Sequence, residues 1–159
     1  MNLKEQRQWV LDELSSVADF WLENGMDKVH GGVYTCIDKD GKVFSTDKSV
    51  WMQGRCGWTF AYLCHVYGVK QEWLEASKSC IDFLENYCVN KNADGRLYFT
   101  VTEDGKPLRQ RRYCYSEAFT VLLMLNITAL QVKKNISNVQ EKHTICIGIL
   151  ITEWPTQQV

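Results

Sequence analysis

The chain has 159 residues, 45% of them hydrophobic and 23% charged, with a formal net charge of −1. That length supports one domain with its own core, burying roughly 70% of its unfolded surface, and the charge balance excludes a basic nucleic-acid-binding protein. No apolar run is long enough to span a membrane, and the opening MNLKEQRQWV is polar and charged without a signal-peptide core, so a cytoplasmic protein is expected.

Residues 3 to 23 read as a helix. Trp9, Val10, Leu14, Val17, Ala18, Trp21 and Leu22 recur at three and four to form one apolar stripe, and Asn24-Gly25 is a stop signal. DKVHGGVYTCIDKDGKVF follows. Val33, Thr35 and Ile37 alternate with Tyr34 and Cys36, and Asp40-Gly41 marks a turn, which predicts a short hairpin. A second helix is expected from about Gln53 to Tyr67, with Trp58, Ala61, Tyr62, His65 and Val66 on one side and Gly68 at its end. A third runs over 70–88 with Trp73, Leu74, Ser77, Ile81, Leu84 and Cys88 in its stripe. NADGRLYFTVTEDGKPL gives a second hairpin, with turns at Asp94-Gly95 and Asp104-Gly105, and YSEAFTVLLML begins a fourth helix with Ser116 as its N-cap. The fold class is all-α, with two short β-hairpins as long loops on one face of a helical scaffold, where sites tend to lie.

The seven cysteines are an odd number with no C-x-x-C pair. Cys64, Cys80 and Cys88 fall among apolar positions and read as small buried hydrophobes in a reducing compartment. His30, His65 and His143 are scattered without partners at ligand spacing, so no metal site is expected. Arg109, Arg111 and Arg112 read as an ordinary solvated face.

Four stretches, FWLENGMDKVHGGVYTCIDKDGKV, DKSVWMQGRCGWTFAYL, LYFTVTEDGKPLRQRR and YSEAF, carry a resemblance to the N-acylglucosamine 2-epimerase family, which includes the cellobiose 2-epimerases. They stand in the family's order and spacing over about residues 9 to 123, and the WMQGR form resembles the N-acylglucosamine branch more than the cellobiose one. The resemblance implies an (α/α)6 toroid, of which this chain holds the opening portion as residues 1–124. It implies proton transfer at the carbon next to a sugar carbonyl, converting an N-acylglucosamine to an N-acylmannosamine. That chemistry needs a base, an acid and donors for the enolate-like oxygen. In the family two histidines move the proton, both in the later part of the ring. No metal or redox cofactor is required, and some members bind a nucleotide that supports activity or stability. The implied partner is a small-molecule sugar, with a homodimer an option for a full-length member.

Arg55 matches the arginine of the family's Q-G-R motif, implying a guanidinium on a sugar oxygen that stabilises developing negative charge. Trp51 and Trp58 offer flat walls for a sugar, and Tyr115, the tyrosine of YSE, lines the same site. Glu117 and Lys48 are further substrate-binding candidates. Bland readings stand beside these. Trp58 is at core spacing, Trp51 suits packing as well as a site, and Arg55 near a helix start suits a surface. Lys48 suits a solvated loop, and Glu117 favours a first helical turn without any function. His65 reads as a core histidine, and His143 matches neither catalytic histidine.

After YSEAFTVLLM the resemblance stops. Residues 125–159 show poor helical periodicity, many β-branched residues and two N-x-[ST] sequons. Joining the last base of each codon to the first two of the next permits a shifted reading that includes AEYY and EKKYLKRARKTYDLYRN, an amphipathic helical string like the family's next segment. The expectation is a chain out of frame from about Met124 to Val159, truncated, lacking the catalytic histidines, inactive alone and exposing apolar helix faces. Readings of another kind are a cellobiose 2-epimerase-type enzyme, a non-catalytic carbohydrate-binding fragment and a non-functional product.

Overall fold

The computed structural model describes residues 2–92, 95–110 and 114–134. Asp94, Arg111, Arg112, His143 and the stretch 135–159 lie outside the described residues. Helix α1 (Leu3–Phe20) starts on a capping box. The Asn2 side chain accepts from the Lys4 and Glu5 amides at 3.0 Å, and Glu5 reaches back to the Asn2 amide at 2.9 Å. The helix widens into one π-helical turn, Trp21–Gly25. Strands β1 (Cys36–Ile37) and β2 (Val43–Ser45) make the first hairpin. Strand β3 (Lys48–Ser49) runs straight into helix α2 (Val50–Tyr67). Helix α3 (Gln71–Phe83) widens into a second π-helical turn, Leu84–Cys88. Strands β4 (Thr100–Val101) and β5 (Pro107–Arg109) follow, and then helix α4 (Tyr115–Lys134). Strand β3 pairs antiparallel with β4, giving a three-stranded sheet in the order β3-β4-β5.

One device occurs twice. A helix widens into a π turn, a bridged loop follows (Met26 to Val33, then Val89 to Leu97), and a hairpin closes the unit. Each hairpin turns through the same local pattern: Gly41 donates its amide to Asp38 and Gly105 to Thr102. Both glycines sit at positive φ, 84° and 86°, where a side chain is strained. The repeated letters are WLEN with DKDGK and FLEN with TEDGK.

Helix α2 lies between α3 and α4, and the core forms around it. Phe60, Ala61 and Cys64 of α2 meet Ala76, Cys80 and Ile81 of α3 and Leu123, Met124, Ile127 and Leu130 of α4. The approach is close because α2 carries two glycines. A Cβ at Gly54 would stand 2.8 Å from the Phe119 carbonyl carbon, and one at Gly57 2.8 Å from Leu123 Cδ2. Glycine mid-helix lowers helix propensity, and here the α4 backbone takes the space.

Several expectations change. Helix α2 begins at Val50, and its buried face is Gln53, Gly54, Gly57, Phe60, Ala61, Leu63 and Cys64. Tyr62 and Val66 face outward, because the small residues, not the aromatic stripe, admit the neighbouring helices. Ser116 is no cap: α4 starts at Tyr115, and Ser116 is buried in the first turn. Periodicity does not fail at Met124. Helix α4 continues to Lys134 and buries Ile127 and Leu130. Of the α1 stripe, Ala18 alone is buried, while Trp9, Val10 and Val17 remain more than half exposed.

Replacing Gly54 with Ala should cost about 1–3 kcal/mol, since the methyl meets backbone, which cannot rotate away. Urea denaturation measures it; an unchanged midpoint contradicts the close α2–α4 approach.

Candidate active site

The first turns of α2 and α4 lie side by side and carry the aromatic residues. Trp51 of α2 and Phe119 of α4 meet with ring centroids 5.8 Å apart, tilted by 41°. The Phe99 carbonyl accepts the Val50 amide at 3.0 Å, which brings the segment before β4 to the start of α2. Trp51, Phe99, Tyr115 and Phe119 line an open hollow of 360 Å³. Arg55, one turn beyond Trp51 and exposed, places its guanidinium carbon 5.9 Å from the Phe119 ring centroid. No carboxylate among the described residues pairs with it. A planar cation with free donors thus stands at the edge of an aromatic wall, an arrangement that binds oxygen-rich ligands and stabilises negative charge.

The structure therefore brings Trp51, Arg55 and Tyr115 together, with Phe99 and Phe119 as additional walls. Trp58 is elsewhere: it stacks on Tyr62 at 5.4 Å and 19° and is half-buried against the core. Glu117 is 5% exposed. Its Oε1 accepts the Leu97 amide at 3.2 Å and lies 3.5 Å from Arg96 Nε. It holds the second bridged loop to α4 and does not line the hollow.

Lys48 requires a correction. It is neither a solvated loop lysine nor placed to touch a sugar. Its side chain has no exposed surface. The ammonium donates to Asp27 Oδ2 at 2.7 Å, to the Gly31 carbonyl at 2.7 Å and to the Glu103 carbonyl at 3.0 Å. All three protons are committed, and the Phe83 ring centroid lies 4.2 Å away. Asp27 in turn accepts the Val29 and His30 amides at 2.8 and 3.0 Å. One ammonium thus joins the first bridged loop, the second hairpin and the start of α2. Burial pushes the Asp27 carboxyl up, but the Lys48 hydrogen bond, the two amides and the Lys48 charge outweigh it and bring its pKa down to about 2.

Gln53, the motif's first letter, is also structural. It is fully buried, donates Nε2 to the Val33 carbonyl at 2.7 Å and accepts the Val33 amide on Oε1 at 2.8 Å. This two-point clamp fixes the first loop to α2. His65 is half-buried on α2 and His30 sits on the first loop; neither lines the aromatic hollow.

Comparison with known proteins follows the same residues. Residues 32–146 match the N-acylglucosamine 2-epimerase (GlcNAc 2-epimerase) family. The chain belongs to this family. The match extends past Met124, where the motif resemblance stops. The N-acylglucosamine 2-epimerase of Rattus norvegicus is 36% identical over 124 residues, covering 77% of this chain and 30% of that protein. The Homo sapiens one is 32% identical over 127 residues, covering 77% and 29%. The chain thus spans about a third of the length of these curated relatives. The solved cellobiose 2-epimerase from Spirochaeta thermophila DSM 6192 superposes with a TM-score of 0.73 at 21% identity, over 95% of this chain and 36% of that one. The shared fold is that of the epimerase family. No helix among the described residues is long and apolar enough to cross a membrane.

Asp27 sets an acid limit. Its folded pKa lies below the ordinary 3.8, so its contribution is complete above about pH 4 and is lost as pH falls through about 2. About 2 kcal/mol is at stake. Chemical denaturation between pH 5 and 2 should show this loss, and Asp27→Asn should flatten it while lowering stability at neutral pH. An equally steep acid loss in Asp27→Asn contradicts the assignment.

Proposed function

We propose that this chain is the opening third of an N-acylglucosamine 2-epimerase, interconverting N-acyl-D-glucosamine and N-acyl-D-mannosamine within a complete ring. The observation that carries this is the Arg55 guanidinium, without a carboxylate partner among the described residues, beside the hollow of Trp51, Phe99, Tyr115 and Phe119. Once the sugar ring opens, a base takes the C2 proton and negative charge moves to the aldehyde oxygen. Arg55 donates to that oxygen, which matters most when the charge has developed. The aromatic residues stack against the sugar's apolar face and limit water. Return of the proton to the opposite face inverts C2. The step is proton transfer alone and calls for no metal or redox group. Among the described residues neither His30 nor His65 reaches the hollow; in this reading the described residues supply the wall and the anion-stabilising donor, and the proton-moving groups come from the rest of the ring.

In this reading α1–α4 are the first two helical hairpins of an (α/α)6 toroid. Trp9, Val10 and Val17 on α1 and Leu122 on α4 are exposed and form the two faces on which later hairpins pack. The out-of-frame reading of the residues after Met124 remains part of the proposal. Sequencing the DNA from that codon past Val159 should find the family's continuation in the shifted frame; its absence there overturns that reading.

Tryptophan fluorescence should change saturably with N-acetylglucosamine or N-acetylmannosamine, more weakly with cellobiose. Arg55→Ala should weaken binding about tenfold or more, as loss of a charge-assisted hydrogen bond of ~1.5–3 kcal/mol implies. The 159-residue chain should not exchange the C2 hydrogen for deuterium in D2O. Exchange by this chain, or sugar affinity indifferent to Arg55, overturns the assignment of roles.

A further inference from the structure

Two free cysteines, Cys56 on α2 and Cys80 on α3, stand where the two helices touch. Cys56, the residue after Arg55, is half-buried and lines an open cavity of 270 Å³ with Leu14, Val17, Trp21, Met52 and Phe60. Cys80 on α3 has no exposed surface. The helices are in contact at this level because residue 57 is glycine: a Cβ there would stand 3.0 Å from Cys80 Cβ. Cys80 therefore rests on the α2 backbone one residue from Cys56. Both cysteines are free, and Cys56 is near enough to Cys80 to help hold its thiol protonated. By contrast, the Cys64 thiol is turned to the Lys70 carbonyl, 3.8 Å away.

We propose that Cys56 and Cys80 are a peroxide-sensitive pair that closes to a disulfide joining α2 to α3. Their chemistry divides between them. The partly accessible cysteine meets the oxidant first, since oxidation follows access as well as thiolate character. The Cys56 thiolate attacks one peroxide oxygen. The O–O bond breaks, an S–O bond forms, and the peroxide is reduced as Cys56 becomes a sulfenic acid. The Cys80 sulfur then attacks the Cys56 sulfur. The S–S bond forms, the S–O bond breaks, and hydroxide leaves with the Cys80 proton as water. Overall, two thiols and one hydrogen peroxide give one disulfide and two waters. Cys80 is suited to the second role. The neighbouring Cys56 side chain and burial push its pKa well above the ordinary value. It therefore stays a thiol, sheltered from the oxidant, until the sulfenic acid forms beside it. The outcome pins the helix that carries Trp51 and Arg55 to its neighbour. The pair stands whether or not the chain binds a sugar.

The test treats the native chain with hydrogen peroxide, blocks remaining thiols with N-ethylmaleimide and maps non-reduced peptides by mass spectrometry. The expected result is a Cys56–Cys80 cross-linked peptide, two hydrogens lighter than the separate thiols, abolished by dithiothreitol. If that bond alone forms, free thiols fall from seven to five. In Cys80→Ser the sulfenic acid should persist on Cys56 and be trapped by dimedone; in Cys56→Ser, Cys80 should stay reduced. The proposal is overturned if native Cys56 is oxidised while Cys80 remains a free thiol, if Cys80 oxidises equally in Cys56→Ser, or if Cys56 resists peroxide. Should Cys80→Ser fail to fold, the native map and the half-buried Cys56→Ser variant still decide.

Discussion

The buried ammonium of Lys48 is the constraint on which the arrangement depends. It removes a full charge from water, a cost offset only with a counter-charge and complete hydrogen bonding. The Asp27 carboxylate and the Gly31 and Glu103 carbonyls supply both. These partners come from the loop after α1 and from the second hairpin, while Lys48 precedes the first residue of α2 by two positions. Strands of two or three residues cannot hold such loops by pairing alone. A single charged centre sets the first bridged loop and the second hairpin against one helix end, and the aromatic hollow forms at that end.

The motif Gln53-Gly54-Arg55 divides its work in the same economical way. Gln53 faces inward and clamps Val33. Gly54 lets the α4 backbone approach. Arg55, the next residue round the helix, faces outward beside Phe119. Two of the three build the scaffold, and the third is left exposed beside the aromatic hollow. Glu117 plays a comparable structural part on α4, holding the Leu97 amide from inside the first turn.

Much of this was legible in the chain. The α3 stripe and the turns at Asp40-Gly41 and Asp104-Gly105 follow from periodicity and turn chemistry, and the four motifs point to Arg55, Trp51 and Tyr115, which the fold brings to one hollow. What was hidden depends on partners distant in sequence. A lysine's burial is invisible until Asp27, Gly31 and Glu103 converge on it. The buried face of α2 was misread because glycines, not tryptophans, mark the closest packing. Phe99 and Phe119 carried no signal of their own, since an aromatic in a hairpin or helix has the same local pattern whether it packs or lines a hollow. The repeated WLEN…DKDGK and FLEN…TEDGK letters were a usable signal: a doubled unit of helix, π turn and hairpin stands behind them.

The most direct measurement is a double-mutant cycle on Asp27→Asn and Lys48→Met, with stability read by urea denaturation. Removing either partner alone leaves a buried group without its match and should cost about 3–5 kcal/mol. The double variant should lose clearly less than the sum of the two, because the uncompensated charge is gone in both places. Additive losses, or single variants as stable as the parent, would contradict the claim that this one buried pair holds the first bridged loop and the second hairpin on the start of α2.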